Sequence, residues 1–205
     1  MQVHIIDYNA GNLFSVSNSL AYLGHTPIIA DTAEKLADAT CLILPGVGAF
    51  GSGIAALKNK AMIDPIKIHI TQNKPFIGLC LGFQLLFESS DESPGTPGLA
   101  ILPGHVTALP NTRVSVPHIG WNSLEPAGDS PLPAFMPNNT AVVYFVHQYC
   151  VLQTDPAIAQ TQTTHDVPFV SSIAYKRSIG CQFHPEKSGQ TGIEILKSIL
   201  ETITD

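Results

Sequence analysis

Charged residues are scarce in this chain of 205 amino acids. Asp, Glu, Lys and Arg together make up 13% of the residues, whereas apolar residues make up 44%. Disordered segments have the opposite balance, so we exclude extended disorder and expect a compact fold with a sizeable core. The net charge is −6 and the isoelectric point about 5.7. Binding to nucleic acid needs clustered Lys and Arg, so it is not expected here.

Long apolar runs are also lacking. No stretch approaches the ~18 apolar residues that a membrane-spanning helix requires. The first residues, MQVHIIDY, do not combine a basic segment with a following apolar segment, so we expect no signal peptide. From these two features we expect a cytoplasmic protein that does not enter the membrane.

Paired cysteine motifs are absent as well. The four cysteines, at positions 41, 80, 150 and 181, form no C-x-x-C pair of the kind that binds zinc. Without a leader, disulfides are not expected either. Cys41, Cys150 and Cys181 lie in apolar segments, and we interpret them as small buried hydrophobic residues. We expect neither a metal nor a cofactor, and the sequence contains no phosphate loop of the G-x-x-x-x-G-K-[ST] type.

The first half of the chain alternates short apolar runs with segments of helical periodicity. This pattern predicts strands at 2–7, 26–31, 41–45 and 74–80, and helices at 12–23, 54–72 and 81–90. Such a β-α-β-α order predicts a parallel sheet with helices on both faces.

The second half has a different pattern. Residues 99–175 contain short β-like runs that are interrupted by Pro and Gly, which indicates antiparallel strands added to the parallel part. Residues 89–98 are predicted as an internal loop, and the chain is predicted to end with a helix at about 190–203. We find no internal repeat and expect a single domain over residues 1–205.

One cysteine has a setting that differs from the other three. Cys80 lies in Gly78-Leu79-Cys80-Leu81-Gly82, at a predicted junction between a strand and a helix. Gly-x-nucleophile-x-Gly is typical of a nucleophile elbow, a sharp turn that needs small flanking residues and exposes the reactive atom. The start of the following helix favours the thiolate. Because the pattern is short, an ordinary tight turn with a chance cysteine is an equally good interpretation of these residues alone.

A possible base follows much later, in QFHPEKSG. His184 and Glu186 are two residues apart, so in extended backbone their side chains point to the same side. A carboxylate placed in this way can accept the imidazole N–H and hold the ring toward a nucleophile. A surface His-Pro-Glu turn is the alternative. Because strand ends of a parallel sheet share one edge, we expect Cys80 and His184 to meet there.

With these two segments, the chain resembles the class-I, or triad-type, glutamine amidotransferases. GLCLGFQLL is similar to the family's nucleophile segment and QFHPEKS to its His-x-Glu segment. More narrowly, DYNAGNLFSVSNSL, LPGVGAF, PHIGWN and YFVHQY resemble the glutaminase subunits of imidazole glycerol phosphate synthase. The resemblance implies that family's α/β fold: an open, mostly parallel sheet with helices on both faces and added antiparallel strands.

The resemblance also implies a reaction. The Cys80 thiolate would attack the side-chain carbonyl of glutamine, His184 would transfer the proton to the leaving ammonia, and Glu186 would orient His184. Water would then hydrolyse the glutamyl thioester. The oxyanion would be held by the N–H of Leu81, as elbow geometry requires, and by resemblance by the N–H of Val47.

The glutamine pocket is likewise implied by resemblance. It would be lined by Gly46, Gly48, Gln84, Gln148 and Tyr149. This sequence departs from the pattern at Gln148, where the subfamily usually has a small hydroxyl residue, and the departure bears on how tightly glutamine is bound.

A partner chain is expected because ammonia must reach an acceptor before water protonates it, and this chain has no second catalytic domain. By resemblance the partner is a (β/α)₈-barrel cyclase, joined in a heterodimer, whose products are imidazole glycerol phosphate and an aminoimidazole carboxamide ribonucleotide. We expect an interface at Asn12, His118, Trp121 and Lys187. A lone tryptophan suits an interface, although a core position would suit it equally.

Three other functions remain open on the sequence alone. The chain could supply ammonia to a different synthase, such as one that amidinates sugars. It could be a catalytically silent module that regulates its partner, or a cysteine hydrolase that acts on peptides. The intact Cys-His-Glu set argues against a silent module.

Overall fold

The computed structural model describes residues 1–128, 130–131, 133–136 and 141–204. The remaining residues, 129, 132, 137–140 and 205, lie outside the described part, and most of them belong to the predicted β-rich half. No helix in the described part is long and apolar enough to cross a bilayer.

The strands are β1 Gln2–Ile6, β2 Thr26–Ala30, β3 Leu42–Leu44, β4 Phe76–Leu79, β5 Ser89–Ser90, β6 His105–Ala108, β7 His118–Pro126, β8 Ala141–His147, β9 Tyr149–Val151, β10 Ala159–His165, β11 Val167–Tyr175 and β12 Ser178–Cys181. The helices are α1 Leu13–Tyr22, α2 Ala33–Ala37, α3 Phe50–Asn59, α4 Ile63–Thr71, α5 Leu81–Gln84 and α6 Gly189–Thr204, with a 3₁₀ turn at Pro185–Lys187.

One extended sheet runs through the molecule. Its main path has the order β2-β1-β3-β4-β12-β11-β10-β7-β8, and the first five of these strands are parallel. From β12 onward the neighbours are antiparallel. Strand β9 branches from β11, and β6 and β5 extend that branch. This arrangement confirms the predicted fold class, with a parallel part, helices on both faces and added antiparallel strands.

The two faces of the sheet carry separate hydrophobic clusters. Alternate strand residues point to opposite faces, so Leu42 and Leu44 pack on one side and Ile43 on the other. Helices α2 to α5 cover the first face, and α1 and α6 cover the second. Burial on both faces explains why β3 and β4 are apolar throughout.

All five parallel strands end at the same edge of the sheet. The segments that follow β1, β3, β4 and β12 begin at Asp7, Pro45, Cys80 and Gln182. These are the segments in which the sequence placed its candidate residues. In open α/β sheets, ligands bind at this edge, where successive connections leave in opposite directions.

Two predicted helices are interrupted. The segment 54–72 forms α3 and α4, which are separated at Ala61, a residue with φ +52°. Pro65 lies in the first turn of α4, where its missing N–H costs nothing; within a continuous helix it would break the hydrogen-bond ladder. The helix after Cys80 ends at Gln84 because the carbonyls of residues 85–87 accept hydrogen bonds from residues 99–102 instead.

Candidate active site

Cys80 sits at a strained turn. It directly follows β4 and precedes α5, with φ +53° and ψ −106°. Positive φ is unfavourable for a residue with a Cβ and is maintained only when the surrounding structure enforces it. The backbone N–H of Cys80 donates to the carbonyl of Cys181 on β12 at 2.7 Å, which ties the turn to the neighbouring strand. This is the geometry of a nucleophile elbow.

The glycines beside Cys80 are required by close backbone approach. A Cβ on Gly82 would overlap the carbonyl oxygen of Leu44, at the end of β3. A Cβ on Gly78 would lie 2.9 Å from the carbonyl oxygen of Gly82. Larger residues at either position would therefore push the elbow away from the sheet edge.

We predict that Gly82→Ala will lower the free energy of unfolding by about 3 kcal/mol, because fixed backbone atoms occupy the space of the new methyl group. The matched control is Gly24→Ala, which replaces a glycine with φ +80° whose added Cβ would meet no atom within 4 Å. It should cost about 1 kcal/mol. Both values can be measured by denaturant titration, and equal costs for the two variants would contradict the packing argument.

His184 and Glu186 form a buried pair beside Cys80. The Nδ1 of His184 lies 2.7 Å from Oε1 of Glu186, and the two side chains are only 2% and 3% exposed. A carboxylate oxygen can only accept, so Nδ1 carries the proton and Nε2 is left for another partner. Within the described part of the chain, Nε2 has no strict hydrogen-bond partner. The 3₁₀ turn at 185–187 lets Glu186 reach back to the ring.

The charge state of His184 follows from its two neighbours. Burial alone lowers the pKa of the imidazole, but contact with Cys80 and Glu186 and their negative charges outweigh burial and raise it to about 10. Cys80 therefore acts on the pKa of His184 as a neighbouring group, while Nε2 of the ring forms no hydrogen bond within the described residues. An imidazolium at neutral pH next to the sulfur favours a thiolate–imidazolium pair.

A cavity of 230 Å³ opens on the other side of the sulfur. It is smaller than the roughly 300–1,000 Å³ typical of drug-sized ligands, which suits a substrate of amino-acid size. Of the residues singled out in the sequence, Val47, Gly48, Cys80, Leu81, Gln84, Gln148 and Tyr149 line it, together with Glu92, Val146 and His147. Gly46 lies deeper, where an added Cβ would overlap the Tyr8 hydroxyl.

Glu92 is a pocket residue that the sequence analysis missed, since it lies in the segment predicted as a plain loop. Its Oε2 accepts the backbone N–H of Phe50 at 2.6 Å, at the start of α3. The neighbouring Ser93 accepts from Gly51 at 2.9 Å. These long-range contacts bring an acid to the cavity, and no local sequence pattern indicates them.

The two predicted oxyanion donors do not converge in this structure. The N–H of Leu81 donates to the carbonyl of Gly46 at 3.4 Å, so the Gly46–Val47 peptide presents its oxygen to that site. The N–H of Val47 must then point elsewhere. Gly48 follows with φ +108°, a conformation that glycine adopts readily. Rotation of the 46–47 peptide would turn the Gly46 carbonyl away from the Leu81 N–H and bring the Val47 N–H to that side.

The four predicted interface residues differ in exposure. Trp121 and Lys187 are exposed, and Asn12 is half-buried and caps α1 through Ser15. His118, in contrast, is only 4% exposed. The structure therefore corrects its expected place on the surface, because His118 lies on the inward face of β7.

His118 instead belongs to an internal imidazole pair. Its Nδ1 lies 3.0 Å from Nε2 of His147, whose Nδ1 lies 3.0 Å from the carbonyl of Tyr149. Burial, and secondarily His165, lowers the pKa of His118 to about 4, and burial lowers that of His147 to about 3. Both rings are therefore neutral at physiological pH, in tautomers fixed by the Tyr149 carbonyl.

Comparison with known proteins matches this architecture. A family model for class-I glutamine amidotransferases matches residues 4–202. The HisH subunit of imidazole glycerol phosphate synthase from Caldanaerobacter subterraneus subsp. tengcongensis is 44% identical over 98% of both chains. The HisH subunit from Aquifex aeolicus is 41% identical over 97% of this chain and 95% of that one.

A longer relative and two solved structures complete the comparison. The imidazole glycerol phosphate synthase hisHF of Emericella nidulans is 37% identical over 97% of this chain, but the match covers 38% of that longer protein. A crystal structure of a glutamine amidotransferase superposes with a TM-score of 0.77 at 16% identity over 99% of both chains. The structure of PurLQS from Thermotoga maritima gives 0.75 at 18% identity over 98% of both. The chain belongs to the class-I glutamine amidotransferase family and, within it, to the HisH subunits of imidazole glycerol phosphate synthase.

Proposed function

We propose that this chain is the glutaminase subunit of an imidazole glycerol phosphate synthase. It hydrolyses glutamine to glutamate and ammonia and passes the ammonia to a cyclase partner in histidine biosynthesis. The observation that carries the proposal is the placement of Cys80, on a strained elbow, between an ionised His184–Glu186 pair and a cavity of amino-acid size. One domain over residues 1–205 and a cytoplasmic location are parts of the same proposal.

The substrate side chain enters the cavity toward the sulfur. The Cys80 thiolate attacks the carboxamide carbon of glutamine, and the imidazolium of His184 gives its proton to the departing nitrogen, which leaves as ammonia. The neutral imidazole then deprotonates a water molecule, which hydrolyses the thioester to glutamate. The C–S bond breaks, which restores the Cys80 thiolate, and His184 keeps the proton that it took from water. Glu186 holds the ring in one tautomer throughout.

The backbone must supply the oxyanion hole during attack. We propose that the 46–47 peptide rotates, so that the Gly46 carbonyl releases the N–H of Leu81 and the N–H of Val47 replaces it. Both donors then face the developing oxyanion, where loss of one donor costs on the order of 10²–10³ in rate. With the carbonyl in its present position, the negative oxygen would meet another oxygen, so the resting site is poorly active.

The remaining polar groups of the cavity orient glutamine. Glu92 contributes the one carboxylate among the lining residues, and it suits the substrate ammonium group. Both hydrogen bonds of Gln84 use Nε2, which leaves Oε1 for the substrate. Tyr149 and Gln148 also line the cavity, and the long Gln148 side chain stands in place of a small hydroxyl residue.

The partner is proposed to dock on the outer face of β7 and β8. Ile119, Trp121 and Val142 are exposed there at 60%, 57% and 50%. Trp121 packs edge-to-face on Tyr144, with ring centroids 6.1 Å apart, and Lys187 lies at the end of the adjoining turn. An apolar patch with an aromatic centre is typical of a protein interface. We propose a one-to-one heterodimer with a (β/α)₈-barrel cyclase.

We predict that Trp121→Ala will weaken binding of the cyclase roughly 30-fold, as loss of an interface aromatic of about 2 kcal/mol would do. Tyr22→Ala is the matched control, because Tyr22 is also an exposed aromatic residue but lies at the last position of α1. Calorimetric titration should show a change below twofold for the control. Wild-type affinity in the Trp121 variant would remove this face from the interface.

The proposed function is tested by glutamine turnover with and without a histidine-pathway cyclase and its ligand. We expect slow turnover by the isolated chain and an increase when the loaded cyclase is added. If no cyclase raises turnover while a different synthase does, the chain serves that other synthase instead.

A further inference from the structure

A buried amide contacts the sulfur of Cys80. Gln182 follows β12 directly and is 0% exposed. Its Nε2 lies 3.7 Å from Sγ of Cys80, within hydrogen-bond range for sulfur. The two residues are 102 positions apart in the chain, and neither the proposed mechanism nor the glutamine pocket makes use of Gln182. A fully buried glutamine with its nitrogen on a nucleophile calls for an explanation.

The orientation of this amide is determined by a neighbouring backbone carbonyl. The oxygen of Tyr149 can only accept, and it lies 2.8 Å from Nε2 of Gln84, so that atom must be the donor nitrogen. The same nitrogen lies 2.9 Å from Gln182, so the Gln182 atom facing it must be the acceptor Oε1. The other amide atom of Gln182, which faces Sγ, is therefore nitrogen.

The Tyr149 carbonyl is itself held firmly. Nδ1 of His147 donates to it as a second partner at 3.0 Å, which satisfies both of its lone pairs. Tyr149 belongs to β9, where it pairs with Ala108 of β6. Since the carbonyl is fixed by a sheet and two donors, neither amide of the chain Tyr149–Gln84–Gln182–Cys80 can flip without leaving a buried polar atom unpaired.

We propose that Gln182 is a positioning residue that stabilises the thiolate form of Cys80 by donating its amide N–H to Sγ. The proposal rests on the proposed function only in taking Cys80 as the nucleophile. The second polar contact of the sulfur has the opposite effect: the carbonyl of Val146, 3.9 Å away, can only accept and so favours the protonated thiol. The N–H of Gln182 opposes the effect of that carbonyl.

Other ionisable groups near the sulfur do not replace this donor. His184 supplies the cation, with Glu186 behind it. The Tyr8 hydroxyl donates to the carbonyl of Pro45 at 2.8 Å, and burial together with the Cys80 charge raises its pKa far above neutrality. His147 is neutral, and Glu92, which also lines the cavity, has a carboxylate that accepts hydrogen bonds and does not donate them. Gln182 is therefore the neutral donor whose N–H is directed at Sγ.

The test is alkylation of Cys80 by iodoacetamide in the full-length chain, followed across pH by peptide mass spectrometry. In Gln182→Met, which keeps the volume but removes the N–H, we expect the midpoint of the pH profile to rise by about one unit. At pH values well below the wild-type midpoint, alkylation should then fall about tenfold. Gln182→Glu should raise the midpoint further, because a carboxylate would face the sulfur.

The matched control is Phe183→Leu, which perturbs the adjacent buried residue without touching the sulfur hydrogen bond. It should lower thermal stability but leave the alkylation midpoint unchanged. An unchanged midpoint in Gln182→Met, or an equal shift in Phe183→Leu, would overturn the proposal.

A second measurement requires no substitution at Gln182. With ¹⁵N-labelled glutamine side chains, one buried amide signal should shift with pH at the alkylation midpoint, and Cys80→Ala should abolish that shift. Absence of any titrating amide overturns the proposal. If Gln182→Met shifts the alkylation midpoint as expected but no complex hydrolyses glutamine, the proposed function fails and this inference stands. If the enzyme hydrolyses glutamine but the alkylation midpoint of Gln182→Met is unchanged, this inference alone is overturned.

Discussion

Replacing Cys80 with alanine should reduce glutamine hydrolysis in the complex by on the order of 10⁴–10⁶-fold, because no other group can form the thioester. The variant should still bind glutamine and the cyclase, because the other residues that line the cavity and the β7–β8 face are unchanged. Ammonia release measured by a coupled assay under saturating glutamine is the appropriate readout. Turnover close to that of the wild type would remove Cys80 as the nucleophile.

Cys41→Ala is the matched control. Cys41 is also buried, but it precedes β3 and therefore lies near the opposite edge of the sheet from the candidate site. Burial raises the pKa of its thiol to about 12, so it stays protonated and unreactive at neutral pH. Its replacement should leave turnover unchanged within about twofold. The comparison separates loss of the nucleophile from loss of a small buried side chain.

Glu186→Gln should lower turnover by up to about 10⁴-fold, because the amide no longer fixes the tautomer or stabilises the imidazolium. The pKa of His184 should fall from about 10, so the alkaline limb of the activity profile should move to lower pH by at least one unit. Glu194→Gln, an exposed carboxylate on α6, is the control and should change neither quantity.

The same substitution has a defined effect on stability. Because the pKa of His184 in the folded chain lies above its ordinary value of 6.5, its protonation stabilises the fold fully below pH 6.5. That contribution is lost as the pH rises through about 10. The difference in melting temperature between wild type and Glu186→Gln should therefore be largest near pH 6 and narrow toward pH 10. A difference that grows with pH would contradict the ion-pair assignment.

Much of the fold could be predicted because its signals are local. Strands β3 and β4 are apolar on both faces, β1 and β2 are mostly apolar, and α1 carries helical periodicity, so the order of these elements indicates the parallel sheet. The break between α3 and α4 was missed although Pro65 marks it. The short α5 was not predictable, because hydrogen bonds from residues 99–102 end it, and such contacts leave no trace in the local sequence.

Some residues of the candidate site could likewise be predicted from local sequence patterns, and others could not. Cys80 and the His184–Glu186 pair belong to short segments whose spacing indicates their chemistry, and the family resemblance, which the comparisons confirm, connects them. Glu92 and Gln182 were missed because they reach the site through partners 42 and 98 positions away, Phe50 and Gln84. Sequence periodicity also cannot give the orientation of one peptide, such as that between residues 46 and 47.

The placement of His118 could not be predicted from its motif alone. PHIGWN contains residues for two faces of one strand, and alternation along β7 sends Trp121 outward and His118 inward. A motif shared with relatives therefore need not act at one surface. In this chain His118, the inward residue of the motif, contacts His147, and His147 in turn fixes the Tyr149 carbonyl beside the cavity.

The most direct test of the central claim is transfer of isotope from glutamine to product. The chain, its candidate cyclase and the cyclase substrate are supplied with glutamine labelled with ¹⁵N at the side-chain amide, and the imidazole glycerol phosphate formed is analysed by mass spectrometry. We expect ¹⁵N in the product with the wild type and none with Cys80→Ala. Unlabelled product from the wild type, or equal labelling from the Cys80 variant, would contradict the claim that this sulfur releases the ammonia that the partner uses.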